Sequence, residues 1–383
     1  MRIIRLANFV APHSGGLRTS LAELGAGYLA AGHEPVLVIP GDRDGDELTA
    51  QGRVITLRAP LVPFTGGYRV LWRRRRLARL LAELRPDALE VSDRTTLRWT
   101  GAWAREHGVP AVMVSHESVT ALLKLTRLGP GRLRSALSRG VADWLNRRTA
   151  RAYHRVICTT GWAAAEFGRI DAGNVVRVPL GVDLDTFSPR IRRVRTQYAG
   201  EGQILLVHCG RLSAEKRPQR SLATLATLRA AGLPVPVRLV VAGDGPLRAR
   251  LVRRATRTGL PVTFAGFLSG RADLAALLAS ADVAIAPGPA ETFGLAALEA
   301  LACGTPVVVS AESALPEVVG DAGASVPGED LAAGVRAVLA RPERSRRAAA
   351  RARAEQYDWG TAARGFLAAH GAGDSAALRR RPA

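Results

Sequence analysis

Two doubly wound, Rossmann-like α/β domains facing across a cleft are predicted by three observations. The chain is 383 residues long, its short apolar runs alternate with helical stretches, and that alternation happens twice with a proline-marked segment between. In the first half, residues 2–9 form a short apolar run suited to a buried strand. A glycine-rich turn follows, then a helical pattern over 17–31 stopped by Gly32, and a strand at 35–39. Runs at 54–57, 88–91, 111–115 and 156–159 read as further strands. Their apolar character on both faces suits a parallel sheet covered by helices. In the second half the strands fall at 204–209, 238–242, 263–265, 283–286 and 307–310, separated by Ala- and Leu-rich helices.

The expected boundaries follow from this pattern. An N-terminal domain spans 1–178, and 179–195 is the linker, where Pro179, Gly181, Pro189 and a basic stretch interrupt both periodicities. The C-terminal domain spans 196–355, a helix at 356–369 crosses back to the N-terminal domain, and 370–383 is a tail. Doubly wound domains take ligands at the carboxyl ends of their strands, so loops following strands are where chemistry is expected.

Composition narrows the class. With 47% apolar residues each half can bury a core. The N-terminus lacks a secretory pattern, and no stretch approaches the roughly 18 apolar residues that span a bilayer. This predicts a cytoplasmic chain, free or peripheral to a membrane. Cys158, Cys209 and Cys303 are odd in number and widely spaced, which indicates neither a disulfide framework nor a zinc site. The net charge is +21, yet of 54 basic side chains only Lys124 and Lys216 are lysines. Residues 51–150 carry 19 basic and 7 acidic side chains, a field that attracts polyanions: nucleotide, nucleic acid or anionic lipid.

Four strand-end segments carry candidate chemistry. After the strand at 204–209 comes Gly210-Arg211-Leu212-Ser213-Ala214-Glu215-Lys216, where Arg211 offers a planar fork to phosphate oxygens and Lys216 a compact charge. Two solvated surface cations are the plain alternative, weakened by the scarcity of lysine. After the strand at 283–286, a Gly/Pro loop leads through Glu291, Phe293, Gly294 and Leu295 into a helix bearing Glu299. Backbone N–H groups at such a helix start suit an anion, and each carboxylate accepts two hydroxyl hydrogen bonds. Gly15-Gly16 after the first strand permits close backbone approach to a phosphate or sugar, or is simply a turn. His116 follows the strand at 111–115, either as a site residue or as a structural histidine.

Taken in order, Gly210-Arg211 with Glu215-Lys216, Gly243-Asp244-Gly245-Pro246-Leu247, Glu291 and Glu299 around Phe293-Gly294, and Gly304-Thr305-Pro306-Val307 resemble the retaining glycosyltransferase family 4, of GT-B fold. Ser14-Gly15-Gly16-Leu17-Arg18-Thr19, Glu90-Val91-Ser92-Asp93-Arg94 and Ala286-Pro287-Gly288-Pro289 are similar to the actinobacterial phosphatidylinositol-mannoside α-mannosyltransferases within it. The resemblance implies a nucleotide-diphosphate sugar, GDP-mannose, as donor, a lipid-linked acceptor, and work at the inner membrane face. It implies Arg211 and Lys216 on the diphosphate, Glu299 on the ribose, Glu291 on sugar hydroxyls, His116 on the transferred sugar and Gly16 at the β-phosphate. It further implies no cofactor and no metal.

The basic stretch at 68–81 reads as one helix, with Val70, Leu77, Leu81 and Leu84 on an apolar face and Arg73, Arg74, Arg75 and Arg76 outside it. An anionic membrane surface is the functional reading, with Trp72 at the interface; a core-packed helix with a solvated outer face is the other. A nucleic-acid-binding protein is disfavoured, because the stretch lacks interleaved aromatics. A UDP-sugar donor with another acceptor, and a nucleotide-sugar epimerase or phosphorylase on the same plan, remain open at this point.

Overall fold

A computed structural model describes residues 1–10, 15–62, 67–116, 118 and 132–371. The chain divides into two compact units, Met1–Leu180 with Trp359–Ala383, and Gly181–Asp358.

Unit 1 is built on an eight-stranded sheet. Its strands are β1 (Arg2–Leu6), β2 (Glu34–Gly41), β3 (Gly45–Thr49), β4 (Gly52–Arg58), β5 (Ala88–Val91), β6 (Ala111–Ser115), β7 (Arg155–Cys158) and β8 (Val175–Arg177), in the order β3-β4-β2-β1-β5-β6-β7-β8. Only β3 pairs antiparallel. The helices are α1 (Gly15–Ala30), α2 (Arg74–Leu84), α3 (Trp99–Glu106), α4 (Arg132–Ala152) and α5 (Gly161–Gly168). The chain moves one way across the sheet after β4 and the other way after β1. Right-handed crossovers therefore put α2 to α5 on one face and α1 on the other. The cores agree: Leu77, Leu81, Trp103, Tyr153 and Phe167 share one cluster with Ile4, Leu89 and Met113, while Leu21 joins Ala7, Leu37 and Val54 in another.

Unit 2 holds a six-stranded, wholly parallel sheet: β9 (Ile204–Cys209), β10 (Val237–Ala242), β11 (Val262–Gly266), β12 (Val283–Ala286), β13 (Val307–Ser310) and β14 (Ala324–Val326), ordered β11-β10-β9-β12-β13-β14. This is the doubly wound nucleotide-binding order, with its switch point between the first and fourth strands, β9 and β12. The helices that matter below are α6 (Gln219–Ala230), α8 (Arg271–Ser280) and α9 (Leu295–Ala302); α7 is Arg248–Arg257.

Three expectations need correction. The helix expected over 68–81 starts at Arg74, because Leu71 N–H donates to Asn8 Oδ1 and Phe9 N–H to Arg69 O, which holds 69–72 as loop. Val70 therefore lies off the helix, and Leu77, Leu81 and Leu84 alone form its buried face. Each such burial contributes about 1.5–3 kcal/mol. Second, residues 181–195 are no free linker. They belong to unit 2, where a 3₁₀ helix (Pro189–Gln197) packs on α8 and the Arg195 guanidinium donates to Ser280 O, Gln203 O and Asp282 Oδ2. Third, β3, β8 and β14 are additional strands.

The last helices are α10 (Leu315–Val319), α11 (Ala332–Leu339), α12 (Glu343–Ala354) and α13 (Trp359–Ala369). The last of these returns to unit 1 and packs on α1. A Cβ on Gly27 would stand 2.6 Å from Ala363 Cβ, so the glycine sets that close approach. Just past its end, His370 Nε2 lies 3.2 Å from Glu90 Oε2, which also accepts from Tyr28 Oη at 2.6 Å; Glu90 Oε1 accepts from Arg5 Nε at 2.8 Å. All four side chains are buried. Burial alone would raise the Glu90 carboxyl, but Arg5, His370 and Tyr28 together hold it well below the usual carboxylate range. The tail's residues 372–383 and Lys124 lie outside the described residues.

Candidate active site

In unit 2 the site begins at the ends of β9, β10 and β11. Gly210 N–H donates to Ala242 O, Gly243 N–H to Gly266 O, and Leu212 N–H to Asp244 O. Glycine is required at 243, where φ is +143° and a Cβ would lie 2.0 Å from Gly210 O. This laced platform sets the direction of the chain leaving β9. It carries Arg211, half-buried, and then a 3₁₀ turn (Ala214–Lys216) that ends in a left-handed Arg217.

Lys216 is the residue that joins the two predicted segments. Its Nζ is 2.5 Å from Glu291 Oε1, across 75 positions of sequence. The backbones approach as closely: a Cβ on Gly288 would lie 3.2 Å from Lys216 Cα, so the Pro287-Gly288-Pro289 loop rests on the lysine's own chain. Lys216 and Glu291 thus flank the switch point, one after β9 and one after β12. Gly294, at φ +83°, caps α9. Leu295 opens the helix, and buried Phe293 meets Tyr357 edge-on at 5.9 Å between centroids. The first N–H groups of α9 face the loop end of the sheet, where an anion is favoured.

Glu299 is one turn further along α9. Burial pushes its carboxyl up to about 7, against the pull of Arg271 and with Asp183 adding to the rise. Arg271 is itself paired with Asp183 at 3.2 Å. A carboxyl poised near neutrality and short of ionic partners is ready to take hydroxyl hydrogens. Beneath the platform, His208 on β9 is pushed down to about 4 by burial, with Lys216 adding to the effect, and its Nδ1 contacts Ser221 Oγ at 3.0 Å.

One residue that sequence reasoning missed is Arg220. It is buried near the start of α6 and donates to Pro287 O after β12, to Gly328 O and to Glu329. It pins two strand-end loops to the helix that follows Lys216. Among 52 arginines nothing in sequence separates it from a solvated one.

In unit 1, Gly16 lies exposed in the first turn of α1, after β1; Ser14 is outside the described residues. His116 follows β6 and its Nε2 is 3.2 Å from Ser92 Oγ. Burial pushes the imidazole down to about 4, against Glu90 and with Arg5 and Arg94, so at neutral pH it is an uncharged hydrogen-bonding group. The run 90–94 has no evident chemistry as sequence, yet nearly every side chain in it is committed. Glu90 holds the cluster with Arg5, and Ser92 meets His116. Asp93 accepts from Asn8 and Thr95, and Arg94 donates to Asn146 and Ser115 while lying over the Phe167 ring. Among the described residues no three His, Cys, Asp or Glu side chains group as a metal site, and no helix is long and apolar enough to cross a membrane.

Unit 2 thus has the strand order of nucleotide-binding Rossmann sheets, with a paired lysine and glutamate at its switch point. Residues 14–186 match the family model described as Glycosyltransferase Family 4, and 191–355 that of Glycosyl transferases group 1. The chain belongs to the retaining glycosyltransferase family 4 and has its GT-B fold. It is 55% identical over 97% of its length, and 96% of the relative's, to the GDP-mannose-dependent alpha-(1-6)-phosphatidylinositol dimannoside mannosyltransferase of Mycobacterium tuberculosis (strain ATCC 25177 / H37Ra). Sucrose-phosphate synthase of Thermosynechococcus elongatus shares the fold at a TM-score of 0.79 and 21% identity, covering 98% of this chain and 100% of that one. HepE of Anabaena, in complex with UDP-glucose, does so at 0.74 and 19%, covering 97% and 100%.

Proposed function

We propose that this glycosyltransferase is an α-mannosyltransferase that takes mannose from GDP-mannose and adds it to a phosphatidylinositol mannoside at the inner face of the membrane. The observation that carries the reading is the Lys216–Glu291 pair at the β9/β12 switch point, in a chain 55% identical along nearly its whole length to the dimannoside mannosyltransferase. Arg211 and Lys216 neutralise the departing diphosphate, and Gly16 approaches its β-phosphate. Glu299 accepts the ribose hydroxyls, Glu291 the sugar hydroxyls, and neutral His116 contacts the transferred mannose. Phe293, Gly294 and Leu295 present backbone to the donor. Charge grows on the leaving group as the glycosidic bond breaks, so fixed cations placed there lower the barrier more than they tighten ground-state binding. With those cations in place no metal is needed. Retention follows from departure and attack on the same face, since no carboxylate is assigned as a covalent nucleophile.

For the membrane, the start of α2 and the loop before it offer Trp72, 59% exposed, with Arg73 over its ring at 5.5 Å, and exposed Arg74 and Arg75. Arg76 is already paired with Asp44 at 3.0 Å. Three available cations at about 1 kcal/mol each give reversible binding to an anionic surface.

The test is product analysis. Purified protein is incubated with GDP-mannose, UDP-glucose or UDP-galactose and phosphatidylinositol dimannoside. Glycolipid formation matched one for one by GDP release supports the reading. Turnover of a UDP-sugar alone overturns the donor, and hydrolysis without a new glycolipid overturns the acceptor.

A further inference from the structure

α4 presents a second exposed face, and the chemistry argued so far makes no use of it. Val141, Trp144, Arg148 and Arg151 recur at positions i, i+3, i+7 and i+10, which places them along one stripe of the helix. Trp144 is 52% exposed and Val141 41%, among the few large apolar side chains of the described residues left in water. The Arg148 guanidinium lies over the Trp144 ring at 4.8 Å from its centroid, and Arg147 and Arg151 are exposed nearby on the same helix. The one acid on this part of the helix, Asp143, is turned to Arg169, with oxygen and nitrogen 2.9 Å apart. The inner face of α4 is meanwhile turned into the unit through Ala142, Asn146 and Thr149, all buried.

An exposed tryptophan and a β-branched residue ringed by arginines is poor chemistry for water and good chemistry for a bilayer surface. The ring sits at headgroup depth while the guanidiniums meet phosphate. A protein partner for so basic a face would have to be acidic, and a second copy of this chain, at net charge +21, is not. α4 also stands on the same layer of the sheet as α2, and just before α2 Trp72 and Arg73 repeat the same pairing.

We propose that α4, through Trp144, Val141, Arg147 and Arg148, is a second contact of unit 1 with anionic lipid. It would act with α2 to give the unit two points of attachment in place of one. Two attachments on one rigid body bind more tightly than either alone, because the second forms without a new loss of freedom. They also fix how the unit is turned toward the surface from which the acceptor's headgroup projects. The proposal rests on the lipid-acceptor reading above.

The test uses the full chain and phosphatidylcholine vesicles with and without phosphatidylinositol. Val141→Ser with Trp144→Ser, and separately Arg147→Gln with Arg148→Gln, are each expected to lower partitioning onto the anionic vesicles roughly tenfold. Mannosyl transfer to a deacylated, water-soluble acceptor should stay at the wild-type rate in both variants, which also reports that they fold. Brominated lipid should quench the emission of the wild-type chain more than that of Trp144→Phe, a readout independent of stability. Wild-type partitioning in both α4 variants, with all binding lost in a variant carrying Gln at Arg73 to Arg76, overturns the second contact and leaves the α2 reading standing. A change in the oligomeric mass of the Trp144 variant with unchanged partitioning also overturns it and gives the face to another copy. Failure of the wild type to bind either vesicle removes the membrane reading beneath it.

Discussion

Glu299→Gln probes the donor site and its electrostatics in one substitution. The folded protein holds the Glu299 carboxyl at about 7, against an ordinary value of 4.5, with burial as the leading cause. Between those values the unfolded chain ionises there and the folded chain does not. Stability from this group is therefore full below about pH 4.5, falls as pH rises, and is lost above about 7. The gap corresponds to at most roughly 3 kcal/mol. Glutamine stays neutral throughout but still asks for hydrogen-bond partners, so the expected gain at pH 8 is about 1–2 kcal/mol. That is about 2–8 °C in melting temperature for a unit of this size, shrinking toward zero at pH 4. Melts of wild type and variant at pH 4, 6 and 8, without donor, measure it. Calorimetric titration with GDP-mannose measures the role. A carboxylate accepting both ribose hydroxyls binds donor in its ionised form, so wild-type affinity should rise through pH 7 with proton release. The variant should bind more weakly with a flat profile. A melting difference independent of pH would refute the buried-carboxyl argument, and a flat wild-type affinity profile would refute the ribose assignment.

Arg211→Ala and Lys216→Ala should each lower transfer on the order of 10²-fold with melting little changed, and Lys216→Arg should fail as well, because a planar fork does not replace a point charge held against Glu291; normal turnover in Lys216→Arg would overturn the assignment. Glu291→Gln should lower kcat more than it raises KM, since it loosens Lys216 as well as the sugar contact; a pure KM effect would place Glu291 on the ground state only. Activity should survive saturating EDTA, and a loss restored by Mg²⁺ or Mn²⁺ would require another account of the leaving group. Glu90→Gln should cost about 3–5 kcal/mol by leaving Arg5 charged and buried, with Tyr28→Phe costing less; equal melting temperatures would show that the cluster is slack.

The strands were the most readable part of the chain, for a physical reason. Parallel strands covered on both faces are continuous apolar runs, and those at 88–91, 111–115, 204–209, 283–286 and 307–310 coincide with the observed elements. β3 escaped because Gly45–Thr49 is an exposed edge strand whose one apolar residue, Leu48, is too little to mark a run. The early start expected for α2 rests on Val70, whose spacing from Leu77 suits a helix, but the loop there is tied through Leu71 N–H to Asn8, a contact across 63 positions that no local pattern encodes. At the site, loop position and residue type were enough to single out Lys216 and Glu291. Their direct pairing, and the work of Arg220 beneath them, depend on how the β9 and β12 ends are brought side by side.

The return of α13 to unit 1 has a consequence for how the protein is made. Unit 2 is one unbroken stretch of chain, inserted into a unit whose last structural residues are synthesised after it. As the polypeptide leaves the ribosome, unit 2 has all its parts and can close as a unit while the first sheet still lacks a helix. Until His370 emerges, Glu90 and Tyr28 lack one member of their buried cluster, and the surface of α1 that receives Ala363 stands open. Unit 1 is thus the first to begin and the last to finish. A chain halted before its closing helix would expose apolar surface on the domain that carries Gly16 and His116, the form most open to chaperones and proteases.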